Sequence, residues 1–305
     1  MIVLALLLVA ATSRAEPCDV VPPLADALRQ HYVFEDVGAR MADTVVAHRD
    51  AYHRLSGAEL AVAITSDLRS VTGDKHVLVR LAENTTSATP AGPARHFDAV
   101  QRVEILEGNI GYLDLRGFER RNAQSDAKIA AAFELLRGVD SLIIDLRANG
   151  GGNPDMVALV SSYVLDGPTL LAEMRHREAP AEQLSTPPRP AGALHAGTPL
   201  FLLTSHNTFS AGEGFAFILQ HLGRARVIGE RTAGAAHAGR AYPLACGFEA
   251  IIPNTAVVLP GTTTDWEGTG VVPDVEITAD QAFAAALKAA RMVGWTRSPQ
   301  SDSRR

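Results

Sequence analysis

Three short, nearly unbroken apolar runs constrain this chain more than anything else in it. They are Ile110-Gly111-Tyr112-Leu113-Asp114-Leu115, Ser141-Leu142-Ile143-Ile144-Asp145-Leu146 and Pro199-Leu200-Phe201-Leu202-Leu203-Thr204. A strand with little polar alternation has both faces buried, so something must cover each side of its sheet. Helical patterns supply the cover. Residues 123–137 place Ile129, Phe133 and Leu136 on one face, and residues 155–165 and 211–222 follow the second and third runs. Strand, helix, strand in that order predicts an α/β sheet with helices on its faces. Val103-Glu104-Ile105-Leu106 reads as a further strand ahead of the first run.

Upstream the periodicity changes. Leu24, Leu28 and Tyr32 recur at i, i+4 and i+8, and Leu60, Ile64 and Leu68 repeat that spacing within residues 55–71. Ser56 precedes this second helix, with Glu59 three residues later, the pattern of a capping box. The expected organisation is a helical subdomain over 16–82, a linker and lead-in strand over 83–102, an α/β domain over 103–297 and a disordered tail over 298–305. Residues 177–196, rich in Pro, Ala and His, read as a surface connector. The linker is too short to hold an inserted domain, which takes at least ~50 residues.

Composition narrows the function. A net charge of -6, with no run of Lys or Arg, argues against nucleic acid and against a polybasic membrane surface. Residues 1–15 read as an export signal, an apolar stretch over 2–11 with small residues Ser13 and Ala15 before the cut. The stretch is shorter than the ~20 apolar residues of a spanning helix. The mature chain is therefore expected to be periplasmic or secreted, starting at Glu16, with no stable membrane insertion. The two cysteines, Cys18 and Cys246, either pair in an oxidising compartment or stand as separate thiols, and both readings stay open. Two cysteines without clustered histidines give little support for a structural metal site, and neither metal nor cofactor is expected.

Two turns carry chemistry. In Thr204-Ser205-His206-Asn207-Thr208-Phe209-Ser210-Ala211-Gly212-Glu213 a strand ends, turns and opens a helix, which places Ser210 where free N–H groups favour developing negative charge. The small Ala211 and Gly212 leave room for a substrate carbonyl. In Asp145-Leu146-Arg147-Ala148-Asn149-Gly150-Gly151-Gly152 a second strand runs into three glycines, whose exposed amides suit an oxyanion. No Lys-Ser/Thr follows, so this is not a phosphate-binding P-loop.

Those segments, with Gly229-Glu230-Arg231-Thr232-Ala233-Gly234 and Trp266-Glu267-Gly268-Thr269-Gly270-Val271-Val272-Pro273-Asp274, resemble the tail-specific (C-terminal-processing) serine peptidases. The likeness is to the branch of interphotoreceptor retinoid-binding protein and the tricorn core. It implies a crotonase/ClpP-like α/β core and a peptide or protein substrate hydrolysed through an acyl-enzyme on Ser210. The lysine used by one branch is replaced here by Ala235. The resemblance instead implies His76, in Thr72-Gly73-Asp74-Lys75-His76, as base and Glu267 as the group that orients it, directly or through water. Gly151, Gly152 and Ala211 would line the oxyanion hole. His206 and His237 are rival bases, Glu213 and Glu230 read as braces of the turns, and Asp145 with Arg147 as a framework pair. The alternative function is a non-catalytic binder of retinoid-like or fatty-acyl ligands on the same fold, with an esterase as a weaker third.

If residues 1–15 are removed on export, the intact mass of the periplasmic protein corresponds to a chain beginning at Glu16. A full-length cytosolic species is the contrary result.

Overall fold

The computed structural model describes residues 19–82 and 99–297, with the backbone alone over 293–297. The expected signal, most of the linker and the tail lie outside the described residues. The chain starts with α1 (Val21–His31), α2 (Glu35–Ala47), the single turn α3 (Arg49–Tyr52) and α4 (Gly57–Thr72). Ser56 occupies the N-cap of α4 with extended backbone, but its side chain makes no capping hydrogen bond, so the expected capping box does not form. α4 ends at Gly73 in the left-handed conformation (φ 72°), a stop that glycine adopts without steric cost. The turn that follows carries Asp74 and His76.

Next come β1 (Leu78–Leu81), β2 (Val100–Leu106), β3 (Ile110–Leu115), α5 (Ala123–Leu135), β4 (Ser141–Asp145) and α6 (Pro154–Val164). They are followed by β5 (Leu170–His176), β6 (Glu182–Ser185), β7 (Leu200–Thr204), α7 (Ala211–His221) and β8 (Arg226–Gly229). The chain closes with β9 (His237–Pro243), β10 (Phe248–Val258), β11 (Val275–Glu276) and α8 (Ala279–Arg297). One sheet has the order β11-β8-β7-β4-β3-β2, parallel throughout except for the antiparallel edge strand β2. The three apolar runs of the sequence lie in its middle.

The period-two geometry of a strand divides each run between two cores. Leu113, Leu142, Ile144, Leu200 and Leu202 pack with Phe133 of α5, Val160 of α6 and Phe215 of α7. Tyr112, Ile143, Phe201, Leu203 and Ile228 face the other way, onto Ala282, Ala286 and Ala290. Those alanines sit one turn apart on α8, a helix absent from the sequence reading because alanine on every side leaves no apolar contrast. Its small side chains bring the helix close to the sheet.

A second sheet, β1-β10-β5-β6 with β9 also on β10, is antiparallel at every pairing. It changes two expectations. Residues 177–196 are not wholly connector, since Glu182–Ser185 forms the edge strand β6. Only Leu184 of that strand is buried, so the segment lacks the alternation that marks a strand in sequence. The N-terminal helices also do not stand apart. β1 pairs with β10 from Leu78↔Ile251 to Leu81↔Phe248, and Leu28, Met41, Ile64 and Leu68 share a core with Phe248, Ala250 and Ile252. That packing fixes the end of α4 against the α/β part and sets the position of His76.

Candidate active site

Ser210 stands at the junction of β7 and α7 with φ 52° and ψ -120°, a backbone state rare for a residue with a Cβ. Such a state costs on the order of 1–3 kcal/mol and persists only where the surroundings hold it. Three neighbours do so here. The Phe209 amide donates to the Asn149 carbonyl at 2.9 Å, and the Ser210 amide donates to Glu213 Oε2 at 2.8 Å. Behind them Gly151 lies so close that a Cβ there would sit 2.8 Å from the Ser210 Cβ.

Glu213 is fully buried and also accepts from Thr232 Oγ1 at 2.6 Å and from the amides of Gly234 and Ala235. Burial pushes its carboxyl above the ordinary range, while these hydrogen bonds favour the charged form. One side chain thus joins the Ser210 turn to the 232–235 turn. Glu230 braces in a more exposed way, accepting from the Ala279 amide and from His206 Nδ1 at 2.9 Å. His206 is thereby tied to a surface carboxylate. Asp145 and Arg147 do pair, and Arg147 Nη1 also donates to the Ala279 carbonyl at 2.6 Å, which fastens α8 to the glycine turn.

His76 Nε2 lies 3.1 Å from Ser210 Oγ. Its own amide donates to Asp74 Oδ1 at 2.9 Å, and its ring packs on Phe209. Burial holds the imidazole below its ordinary pKa. Asp74 opposes that shift, and the positive charges of His237 and Arg69 add to it. The ring is therefore in its neutral, proton-accepting form at neutral pH.

Glu267 does not hydrogen-bond to His76. Its Oε2 accepts from the amides of Ala236 at 2.6 Å and His237 at 3.2 Å, while Oε1 is buried without a partner, as is His76 Nδ1. Burial and the charge of Asp74 raise Glu267 to about 7. His237, the rival base, is buried, with Nδ1 2.9 Å from Asp74 Oδ2 and 3.6 Å from Glu267 Oε2. Asp265 lies 3.8 Å from its Nε2, an ion-pair distance rather than a hydrogen bond. Burial lowers His237, but these carboxylates outweigh it and raise the ring to about 9. Asp74, His237 and Glu267 are the one trio of metal-ligand-type side chains that converge among the described residues. Their facing atoms are occupied by one another, by Tyr32 and by backbone amides.

The two turns also separate the glycine roles. The Gly151 amide is engaged with Asn149 Oδ1 at 2.9 Å. Gly152 is an exposed residue at φ 138°, and the Ala211 amide opens α7. Neither donates to another described residue. Gly212 does not clear space for substrate as expected. A Cβ there would fall 2.5 Å from Asn149 Oδ1, so the missing side chain accommodates Asn149. Asn149, fully buried, also donates to the Leu115 carbonyl. The sequence reading assigned this asparagine no role, although a buried amide ahead of three glycines is the natural group to satisfy their backbone. Next to Ser210 and Gly152 opens a pocket walled by Val157, Met174, Leu184, Ile218, Val257 and Trp266, all apolar.

Two family models match the chain. Residues 109–277 match the model of peptidase family S41, and residues 7–107 match the N-terminal domain of peptidase S41 in eukaryotic IRBP. The chain belongs to peptidase family S41. It is accordingly a serine peptidase, on the crotonase/ClpP-like α/β fold expected from the sequence. Solved structures agree in fold. A Parabacteroides merdae protein assigned as a peptidase has a TM-score of 0.67 at 17% identity, over 89% of this chain and 96% of its own. The photosystem II D1 C-terminal processing protease gives 0.57 at 17%, over 90% and 96%. A Bacteroides fragilis protein assigned as an S41 protease gives 0.55 at 23%, over 64% of this chain and only 58% of its own length.

The approach of Gly151 to Ser210 yields a direct test. Gly151→Ala adds a Cβ at φ 96° and 2.8 Å from the Ser210 Cβ, so Ser210 must move. A displacement of about 1 Å costs on the order of a hundredfold in rate. Covalent labelling of Ser210 by a fluorophosphonate should slow by at least that factor. Gly150→Ala, with nothing within 4 Å of its Cβ, should label at the wild-type rate.

Proposed function

We propose that this S41 peptidase cleaves peptide bonds through an acyl-enzyme on Ser210, with His76 as base and Glu267 as the group that orients it. The observation that carries the reading is the 3.1 Å contact between His76 Nε2 and Ser210 Oγ, made by an imidazole whose pKa is lowered. Neutral His76 takes the Ser210 proton as Oγ attacks the substrate carbonyl. The resulting oxyanion accepts from the Gly152 and Ala211 amides, the latter at the positive end of α7. The imidazolium then protonates the leaving amine, and water repeats the sequence on the ester. Gly151, its amide already engaged, serves by its small size.

Glu267 would act on His76 through water. Each presents a buried polar atom without a protein partner, Oε1 and Nδ1, and such atoms are ordinarily satisfied by ordered water. The apolar pocket beside Ser210 favours substrates with an aliphatic or aromatic side chain just before the scissile bond. The binding-protein reading would use the same pocket. The Ser–His contact favours hydrolysis. Export to an oxidising compartment is supported by Cys246, which is disulfide-bonded, while Cys18 lies outside the described residues. No helix among the described residues is long and apolar enough to cross a membrane.

Ser210→Ala should abolish both peptide turnover and fluorophosphonate labelling with the fold intact. His76→Ala should reduce turnover by on the order of a thousandfold. Glu267→Gln should cost less, and the double variant should be little worse than His76→Ala, because groups acting as a unit are non-additive. Steady-state kinetics on a peptide with an apolar residue before the cut would show this. Additive losses would remove Glu267 from the relay, and a wild type inert to both probe and peptide would favour the ligand-binding reading.

A further inference from the structure

The cluster behind the base is built around a histidine that the mechanism above does not use. His237 opens β9 and is 4% exposed, among groups from every element that packs on it. From the turn after α4, Asp74 Oδ2 lies 2.9 Å from its Nδ1. From the segment after β10, Glu267 Oε2 is 3.6 Å from Nδ1 and Asp265 Oδ2 is 3.8 Å from Nε2. From the α1–α2 turn, Phe34 meets the ring edge-on, and Tyr32 donates its hydroxyl to Asp74 Oδ2 at 3.1 Å. The other charges at this end of α4 are Arg69, whose guanidinium donates to the Lys75 and Val77 carbonyls, and Lys75, whose Nζ donates to the Ala233 carbonyl.

Each carboxylate that His237 contacts at Nδ1 also touches the catalytic machinery. The other oxygen of Asp74 accepts the amide of His76. Glu267 Oε2, which accepts the amides of Ala236 and His237, belongs to the proposed orienting group. We propose that His237 is a positioning residue, a buried clamp between Asp74 and Glu267 that holds these two carboxylates together and through them sets His76 against Ser210. The proposal rests on the assignment of His76 as base.

The electrostatics agree with the geometry. Asp74 is fully buried, and a negative charge on Glu267 beside it is unfavourable away from water unless Glu267 keeps its proton or a cation lies between them. His237, raised to about 9 by those carboxylates, is that cation across the neutral range. Its charge also counts among the causes that lower His76. Taking the cation away favours protonated His76, so its pKa rises, and the neutral base is reached only at higher pH. His237, a rival base by sequence alone, would on this proposal matter without touching the reacting atoms.

The test compares wild type, His237→Ala and His237→Asn. Asn keeps a donor near the Nδ1 position but carries no charge. NMR titration of the His76 ring, assigned with His76→Ala, reads the base directly and does not require a substrate. His76 should titrate at higher pH in both variants. The pH profile of fluorophosphonate labelling should move its acidic limb the same way. Labelling at neutral pH should fall by on the order of a hundredfold in His237→Ala and by less in His237→Asn. Should His237→Ala fail to fold, the Asn variant carries both measurements. An unchanged His76 titration with wild-type labelling overturns the clamp. A wild type that titrates normally but never labels overturns the hydrolase reading instead, and the ring titration still decides whether His237 positions His76.

Discussion

The site depends on keeping one serine in a backbone conformation it would not choose. At φ 52° Ser210 directs its side chain out of the β7–α7 junction, and the strain is sustained by the Glu213 carboxylate, the Asn149 carbonyl and the close approach of Gly151. Glu213 is central, because its two oxygens collect four donors from the Ser210 turn and the 232–235 turn. A buried carboxylate is costly unless satisfied in this way. Satisfied, it makes the two turns one rigid body. Gly151, Gly152 and Gly212 follow as consequences, since the space each would need for a Cβ is already filled.

His76 reaches that serine by a different route. His76 lies far upstream in sequence, on a turn fixed by the Gly73 stop of α4 and by the pairing of β1 with β10. The N-terminal helices share their core with Phe248, Ala250 and Ile252 of the second sheet, so the proposed relay spans two packed layers. Behind His76 the Asp74–His237–Glu267 cluster substitutes fixed charges for solvent, in the manner of a preorganised site.

Much of this was legible in the residues. The parallel sheet followed from the unbroken apolar runs, and the meeting of Ser210 with His76 followed from motif resemblance. Spacing alone cannot bring together residues separated by half the chain. What escaped reading had physical causes. α8 is too uniformly alanine to show a face, and β6 is an edge strand with one buried residue. Asn149 and His237 act through buried hydrogen bonds, which leave no periodic trace in sequence. Gly212 was read as room for substrate, yet its space belongs to Asn149. Small residues signal close approach without saying what approaches.

The most direct measurement is a crystal structure of the protein inactivated by a fluorophosphonate. The account predicts a single adduct on Ser210 Oγ. Its phosphoryl oxygen should accept hydrogen bonds from the Gly152 and Ala211 amides at about 2.7–3.1 Å, with His76 Nε2 facing the Oγ–phosphorus bond. An adduct on another residue, or one whose oxygen turns away from both amides, would contradict it.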